Sequence, residues 1–319
     1  MVLRRTNPWE IQTISSQVPI GTHSLHISTS GPPRQSPSQP VLIYINGGGV
    51  PAISHMRLQQ LLSEFVRVYF YDRSGYDRSE RGPEKVLTAE TSAKELMMLM
   101  RDGIGVKPPY ILVGHSYGSI IARTFLALYP SRDTVVGMVL ADSATEMMYG
   151  LFPGEVGREL KPIVDGVDFE KVFKYKEASG LTDEEWEMVV EATERTESAA
   201  EDEDNRGSAR SLLRFQQFKN QAFGDRPLSV VRCNMAADFW KQYDAGVKVG
   251  NGTEDERVKA REFIEKLQSF DDELRASQLR LSSRNRYVHH PHVGHAFVIT
   301  RPELLVDEVH WILGQLSGK

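Results

Sequence analysis

The chain has 319 residues, of which 40% are hydrophobic and 25% are charged, a composition typical of a globular protein. This length predicts either one large domain with insertions or two domains, and it is ample for a sizeable buried core. The formal net charge of −5 argues against nucleic acid as a partner, because nucleic-acid binding needs a concentrated basic surface.

The cysteine count and the hydropathy profile bear on the compartment. The single cysteine, Cys233, excludes an internal disulfide and fits a reducing environment. The N-terminal stretch MVLRRTNPWEIQ lacks the apolar core of about seven or more residues that a signal peptide requires. No stretch approaches the ~18 consecutive apolar residues of a membrane span. We therefore expect a cytoplasmic protein that does not bind membranes; the sequence does not predict its oligomeric state.

Between residues 41 and 142, short apolar runs alternate with helical segments. The runs are rich in β-branched and aromatic residues with little polar alternation, which predicts strands buried on both faces of a parallel sheet. These predicted strands are residues 41–45, 66–71, 110–114 and 135–141. The intervening segments predict helices over residues 53–65, 88–103 and 119–130, the second with Thr88 as its N-cap and Gly103 as its stop. Repeated strand–helix–strand order indicates an α/β fold with helices on both faces of a mostly parallel sheet. Ahead of this region, residues 22–30 predict a strand and 31–40 a Pro/Ser-rich loop.

From about residue 145 to 224 the chain becomes helical and acidic. The segment TDEEWEMVVEATERTESAAEDEDNRG (182–207) contains one basic residue before Arg206. We interpret this charge run as a solvated helix face that leads into a flexible loop, with an acidic partner-binding tail as the alternative.

After residue 225 the alternation of strands and helices resumes. The predicted elements are a strand over 226–234, a helix over 254–280, a strand over 286–291 and a helix over 302–316. The simplest organisation is a core domain of residues 1–144 and 225–319, interrupted by a helical insertion of residues 145–224.

The segment YILVGHSYGSIIARTFLALYP carries the most informative motif. A buried strand leads into Gly114-His115-Ser116-Tyr117-Gly118 and then directly into an amphipathic helix, which is the strand–turn–helix context of a G-x-S-x-G nucleophile turn. The turn is so sharp that the residues two before and two after the serine must be small. It exposes the hydroxyl at a helix N-terminus, where backbone N–H groups stabilise a developing oxyanion. We expect His115 to pack beneath the turn.

With these features the chain resembles an α/β-hydrolase, from about residue 20 to the C-terminus apart from the insertion, which in that family is a cap over the active site. YINGGGVPA (44–52) is similar to the family's oxyanion loop, with Asn46 in place of its histidine. YDRSGYDRS (71–79) is similar to a second family segment, but Asp77 stands where a glycine is expected. The resemblance implies an oxyanion hole built from the N–H of Tyr117 and N–H groups of the glycine loop, Gly47 and Gly48. A phosphate-binding loop is the rival interpretation, but NGGG lacks the spacing of either phosphate-binding motif.

A serine nucleophile needs a base and an orienting acid, which in this family follow in the order serine, acid, histidine. The resemblance selects His295 as the base, on a loop between the last strand and the final helix. For the acid, most members use a position after the strand that follows the cap, where Asn234 occupies the turn and Asp238 is the first carboxylate. Other members use the end of the strand before the cap, where Asp142 lies. We predict Asp142 as the acid and Asp238 as the alternative; a third option is Asp244 or no acid.

The predicted function is that of a serine hydrolase acting by acyl transfer on an ester, lactone, thioester or amide bond of a small molecule, without a cofactor. A serine in the turn argues against epoxide hydrolases and haloalkane dehalogenases, which use aspartate there. Two alternatives stay open: a biosynthetic enzyme that promotes cyclisation, condensation or elimination of a specialised metabolite, and a non-hydrolytic receptor for a small molecule. A peptidase is a weaker interpretation.

The segment HHPHVGH gathers His289, His290, His292 and His295. A hydrolytic metal site would need its ligands on a common face, usually with a carboxylate. Adjacent residues of a strand point to opposite sides, so we expect no metal site here and interpret only His295 as functional.

Overall fold

Eight strands form one sheet at the centre of the fold. The computed structural model describes residues 7–152 and 156–318. The strands are β1 (Ile14–Pro19), β2 (Ser24–Ser30), β3 (Val41–Ile45), β4 (Val68–Tyr71), β5 (Tyr110–His115), β6 (Val135–Ala141), β7 (Leu228–Cys233) and β8 (Asn285–His290). Their spatial order is β1-β2-β4-β3-β5-β6-β7-β8. β2 pairs antiparallel with β1 and β4, and every other neighbouring pair is parallel. The prediction of a mostly parallel α/β sheet is confirmed.

Helices cover both faces of this sheet and fill the long connection between β6 and β7. In chain order the helices in the described residues are α1 (Met56–Ser63), α2 (Ala89–Met98), α3 (Gly118–Leu128), α4 (Glu146–Leu151), α5 (Lys161–Val164), α6 (Phe169–Phe173), α7 (Tyr175–Ser179), α8 (Asp183–Glu201), α9 (Asn205–Leu213), α10 (Met235–Lys248), α11 (Glu254–Ala276), α12 (Phe297–Thr300) and α13 (Glu303–Leu316). Within the described ranges, no helix combines the length and the apolar character that crossing a membrane requires.

Strand β3 shows how the two faces are buried. Tyr44 points to one face and packs in a cluster with Leu58 of α1 and Val309 of α13. Its neighbour Ile43 points to the opposite face, in a cluster with Ile120 of α3. All five of these side chains are fully buried. A strand with both faces covered carries no polar alternation, which is why its sequence is a continuous apolar run.

Most elements predicted between residues 41 and 142 are confirmed. Thr88 caps α2 by accepting a hydrogen bond from the Thr91 N–H. The helix predicted over 88–103 is α-helical only to Met98 and then widens into a π-helical turn over Leu99–Gly103. β1 was not predicted, because most of its side chains are exposed and it lacks an apolar run.

The region after β7 differs from the expectation of a turn. Asn234 accepts a hydrogen bond from the Ala237 N–H and so caps α10, which places Asp238 in the first helical turn. The helix predicted over 254–280 ends at Ala276 and continues as a 3₁₀ turn, Ser277–Leu281.

Helices that follow β7 pack on helices that precede it. Ile163 of α5 shares a hydrophobic cluster with Tyr243 of α10 and Phe263 of α11. The layer above the sheet's C-terminal edge is therefore built from both parts of the chain, although α10 and α11 lie outside the predicted insertion.

Candidate active site

Ser116 lies in the tight turn between β5 and α3 and has a φ of +52°. Its own N–H donates to the Ala141 carbonyl at 3.0 Å, and its carbonyl accepts from the Ala144 N–H at 3.1 Å. A Cβ atom on Gly114 would lie 2.8 Å from the Gly118 carbonyl oxygen, so the turn requires the small residue that the motif supplies. A left-handed serine is a costly conformation that persists only where surrounding contacts enforce it.

Asp142 and His295 meet at the C-terminal edge of the sheet. Asp142 directly follows β6, has a φ of +41° and is fully buried. His295 Nδ1 donates to Asp142 Oδ2 over 2.5 Å. The other oxygen, Oδ1, accepts the Cys233 N–H at 3.0 Å and lies 3.5 Å from Arg275 Nε. The carboxylate is thus held on both oxygens, and the imidazole orientation is fixed through Nδ1.

The charge state of Asp142 follows from these neighbours. Burial alone opposes ionisation, but the positive charge of Arg275 and the hydrogen bonds from His295 and Cys233 outweigh it and hold the pKa of Asp142 below its usual range. A carboxylate that stays ionised stabilises a protonated imidazole beside it.

The alternative acids occupy other positions. Asp238 Oδ2 accepts the backbone N–H of His295 at 2.6 Å and so shapes the loop rather than contacting the ring. A Cβ atom on Gly294 would lie 2.3 Å from either Asp238 oxygen, so the loop closes tightly over this carboxylate. Burial raises the pKa of Asp238. Asp244 is exposed on α10. Of the three candidate acids, Asp142 is the one that accepts a hydrogen bond from the His295 ring.

His115 packs beneath the loop that carries His295. Its Nε2 donates to the His295 carbonyl at 2.9 Å, and the two ring centroids are 4.7 Å apart. Burial, with a smaller contribution from His295, holds the pKa of His115 well below its ordinary value. His115 is accordingly a neutral support for the loop.

The glycine loop abuts the serine turn, and Arg73 orients it. A Cβ atom on Gly47 would lie 3.2 Å from the Ser116 Cβ. Arg73 Nη1 donates to the Asn46 carbonyl at 2.8 Å and Nη2 to the Gly47 carbonyl at 2.9 Å. Because N–H and C=O point in opposite directions across a trans peptide, both anchored carbonyls turn the N–H groups of Gly47 and Gly48 away from Arg73.

Two further contacts restrict the donors of this loop. The Gly49 N–H donates to the Tyr76 hydroxyl at 2.8 Å, which occupies it. Tyr117, at the start of α3, places its backbone beside the loop, since a Cβ atom on Gly48 would lie 3.9 Å from the Tyr117 Cβ. The backbone of Gly47 and Gly48 thus lies beside Ser116 and Tyr117.

Arg73 is also paired with a residue from the acidic segment. Its Nε donates to Glu203 Oε1 at 2.7 Å, and the two side chains are 2% and 1% exposed. Burial opposes the charge of the guanidinium, but Glu203 outweighs it and raises the pKa of Arg73. The expectation of a solvated face is wrong for Glu203, and sequence reasoning missed both residues. The signal lay in the YDRSGYDRS segment, where an arginine follows a buried strand.

Asp77 replaces the expected glycine without disturbing the turn. It adopts a φ of +38°, a conformation that glycine usually occupies. Its Oδ1 accepts from Arg195 Nε at 2.9 Å, and its N–H donates to Thr196 Oγ1 at 3.1 Å. The departure from the family pattern therefore attaches this loop to α8.

Ser116, Gly48 and His295 line one cavity of about 630 Å³. Residues from the helices between β6 and β7, including Tyr149, and from α10, including Phe239, complete its walls. This volume is in the range of small-molecule sites.

The remaining histidines of HHPHVGH lie apart from this cavity's lining. His289 and His290 are adjacent on β8, and the first is exposed whereas the second is half-buried. Across residues 7–152 and 156–318, no three side chains of His, Cys, Asp or Glu gather as a set of metal ligands.

A family model described as the alpha/beta hydrolase family matches residues 42–308. The chain therefore belongs to the alpha/beta hydrolase family, as its resemblance implied.

Two curated relatives match nearly the whole chain. A protein of Hormonema carpetanum named "Probable transporter efuK" is 31% identical over 325 residues, which cover 98% of this chain and 45% of that protein. The chain thus spans less than half the length of that relative. An AB hydrolase superfamily protein of Gibberella zeae is 29% identical over 321 residues, covering 96% of this chain and 98% of that protein.

Among solved structures, a thermophilic esterase from Thermogutta terrifontis is similar, with a TM-score of 0.56 and 18% identity. The match covers 95% of this chain and 98% of the esterase. At that identity the likeness shows the fold alone.

Proposed function

We propose that the protein is a serine hydrolase that acts by acyl transfer on an ester, lactone, thioester or amide bond of a small molecule. Ser116 is the nucleophile, His295 the general base and Asp142 the acid that orients it. The observation that carries this proposal is the 2.5 Å hydrogen bond from His295 Nδ1 to Asp142, with the same imidazole lining a cavity together with a left-handed serine.

In the first half of the reaction, His295 Nε2 takes the proton of the Ser116 hydroxyl while its oxygen attacks the carbonyl carbon. The ionised Asp142 stabilises the imidazolium that forms. Collapse of the tetrahedral intermediate breaks the bond to the leaving group, which takes the proton from His295. Water then gives a proton to His295 and attacks the acyl group, and the carboxylic acid leaves as Ser116 regains its proton.

The oxyanion of each intermediate is stabilised by the N–H groups of Tyr117 and the glycine loop, Gly47 and Gly48. The carbonyl contacts of Arg73 support this assignment, because donors fixed before the reaction need no reorganisation as charge develops. Arg73 is a positioning residue that acts through the loop.

Labelling with a fluorophosphonate probe tests the proposal. The wild-type protein is expected to react stoichiometrically at Ser116, and Ser116→Ala is expected to lose the label. Ser131→Ala, at an exposed serine in the loop after α3, serves as the control and should label normally. A panel of esters, lactones, thioesters and aminoacyl amides then identifies the bond that is cleaved.

The same experiment separates the alternatives. A protein that binds small molecules tightly but takes no label is a receptor, which would contradict the proposal. A protein that takes the label but converts a substrate without net consumption of water is a biosynthetic enzyme with the same nucleophile.

A further inference from the structure

Two buried acceptor oxygens beside the glycine loop have no partner in the described residues. They are Oε2 of Glu203 and Oδ1 of Asn205, and both atoms are almost completely buried. Both residues line the cavity that contains Ser116. A buried carboxylate oxygen without a protein donor is destabilising, and a ligand or a water molecule that donates to it would offset this cost.

Arg73 does not satisfy the second oxygen of Glu203. A guanidinium has five N–H groups. Four of these N–H groups donate to Glu203 Oε1, the carbonyls of Asn46 and Gly47, and the Tyr76 hydroxyl, and none of them donates to Glu203 Oε2. The ion pair therefore fixes the carboxylate in place but leaves Oε2 available.

The backbone on either side of Glu203 is also fixed. The Leu87 N–H donates to the Asp202 carbonyl at 2.9 Å, and the Asp204 N–H donates to the Leu87 carbonyl at 2.9 Å. The Asn205 N–H donates to the Glu203 carbonyl at 3.0 Å. Both acceptors are thus presented by a segment tied to the core, which is what a specific binding group requires.

The two acceptors lie next to the reacting centre. A Cβ atom on Gly48 would lie 3.4 Å from Glu203 Oε2 and 3.8 Å from Asn205 Nδ2. If the carbonyl oxygen of a substrate binds at the glycine loop, a group one or two carbons away along the acyl chain reaches these side chains.

The charges around the cavity favour the same kind of ligand. Glu197 and Glu201 line it together with Glu203. The cation in its wall, Arg275, is already paired with Asp142 at 3.5 Å and with Asp271 at 3.2 Å. Such a surface attracts hydrogen-bond donors and cations and repels a free carboxylate.

We propose that Glu203 and Asn205 form a subsite for a hydrogen-bond-donating substituent, a hydroxyl or an ammonium group, on the acyl part of the substrate. The inference rests on the proposed function and narrows its substrate class to hydroxyacyl or aminoacyl compounds rather than plain acyl chains.

Esters that differ only in this substituent test the subsite: 1-naphthyl butyrate, 1-naphthyl 3-hydroxybutyrate and 1-naphthyl 3-aminobutyrate. In the wild type, kcat/KM for a donor-bearing ester is expected to exceed that for the butyrate by about 10- to 100-fold, the range for a hydrogen bond to a charged acceptor. Asn205→Leu and Glu203→Gln are expected to reduce this ratio at least about 5-fold. Intrinsic reactivity differences between the esters cancel when ratios are compared between variants.

Glu203→Gln also weakens the ion pair with Arg73, so it lowers the turnover of all three esters. The readout is therefore the ratio of kcat/KM between a donor-bearing ester and the butyrate. The variants distinguish the two donors. Recognition of an ammonium group depends on the charge of Glu203, so the preference for the amino ester falls most in Glu203→Gln. The preference for the hydroxy ester falls by a similar factor in Glu203→Gln and Asn205→Leu. Glu187→Gln, on the exposed face of α8, is the control for a changed charge and should leave the ratio within about twofold.

Failure of the subsite and failure of the proposed function give different results. Labelling of Ser116 and ester hydrolysis with equal ratios in all variants would refute the subsite alone. Calorimetry of the same esters with Ser116→Ala reports binding without turnover. A preference seen there and lost in Asn205→Leu supports the subsite even if Ser116 proves unreactive, and equal binding of the three esters overturns it.

Discussion

Gly118, the first residue of α3, packs directly on Ile45, the last residue of β3. A Cβ atom at Gly118 would lie 2.1 Å from the Ile45 carbonyl oxygen, well inside van der Waals contact. This contact holds the start of α3 against the strand that leads into the glycine loop. This close approach of two backbone segments therefore helps to position the serine turn against the loop, in addition to the hydrogen bonds of each.

Gly118→Ala should consequently separate these segments. We expect a loss of about 1–3 kcal/mol in the free energy of unfolding, typical of overpacking, and weaker labelling of Ser116. Gly314→Ala in α13 is the matched control, because its Cβ would meet no atom within 4 Å. The control should gain up to about 1 kcal/mol from helix propensity. Urea denaturation measures both, and a Gly118→Ala protein as stable as the wild type would contradict the close contact.

Asp142→Asn should abolish most of the activity while preserving the fold. An amide cannot hold the imidazole in the productive tautomer or stabilise its positive charge, so we expect kcat to fall by about 10³- to 10⁴-fold. Asp238→Asn retains an oxygen that accepts the His295 N–H and should lose less than about 10-fold. Asp244→Asn, at an exposed position, is the control. Near-normal turnover by Asp142→Asn would show that another group orients His295.

Arg73→Lys should impair turnover more than substrate binding. Lysine keeps the charge but cannot donate to two carbonyls and a carboxylate in the planar geometry of a guanidinium. With the loop N–H groups no longer aligned, we expect kcat to fall about 10²- to 10³-fold, with a small change in KM. Arg67→Lys is a close control, since Arg67 is also buried and donates to the carbonyls of Gly31 and Gln12. If both variants lose kcat equally, the effect is one of general destabilisation.

A buried cluster away from the cavity should give stability a pH dependence of its own. Ser74 donates to Glu95 Oε2 at 2.7 Å and bonds to His23 Nε2 at 2.7 Å. Burial raises the pKa of Glu95 to about 7 from its ordinary value of 4.5, although the Ser74 hydrogen bond opposes this. Between these values the folded state binds more protons than the unfolded chain, so the stabilisation is complete below pH 4.5 and is lost as pH rises through about 7.

Glu95→Gln mimics the protonated side chain and should remove this dependence. At pH 8 we expect the variant to exceed the wild type in the free energy of unfolding by up to about 3 kcal/mol. At pH 4 the two proteins should be nearly equal. Glu64→Gln, at the exposed end of α1, provides the comparison. Chemical denaturation at a series of pH values measures the difference, and parallel stability curves would disprove the raised pKa.

The sequence predicted those parts of the fold that depend on local pattern. Continuous apolar runs identified β3 to β6, and G-x-S-x-G identified the turn at Ser116, because steric limits there act on neighbouring residues. The sequence does not predict β1, because an edge strand exposed to solvent has no continuous apolar run. α10 lies outside the predicted elements because it starts directly after β7, where Asn234 fits a turn as well as a helix N-cap.

The contacts of the candidate site join segments that are far apart in the sequence, so the spacing of residues along the chain does not predict them. Asp142 and His295 are 153 positions apart, and the choice between Asp142 and Asp238 needed their positions around the ring. Arg73 and Glu203 are 130 positions apart. Glu203 sits in a run of acidic residues whose composition indicates solvent exposure, and only the location of Arg73 reverses that expectation.

The pairing of Arg73 with Glu203 limits which segments of this protein can be exchanged with those of other proteins of the same fold. Replacing residues 145–224 with helices from another member of the fold would remove the carboxylate and leave a buried guanidinium unpaired, at a cost of about 3–5 kcal/mol. The transplant would also release the arginine that aligns the glycine loop. Under the proposed function this ion pair couples substrate preference to catalysis, and we expect a working chimaera to need an acidic residue at the position of Glu203.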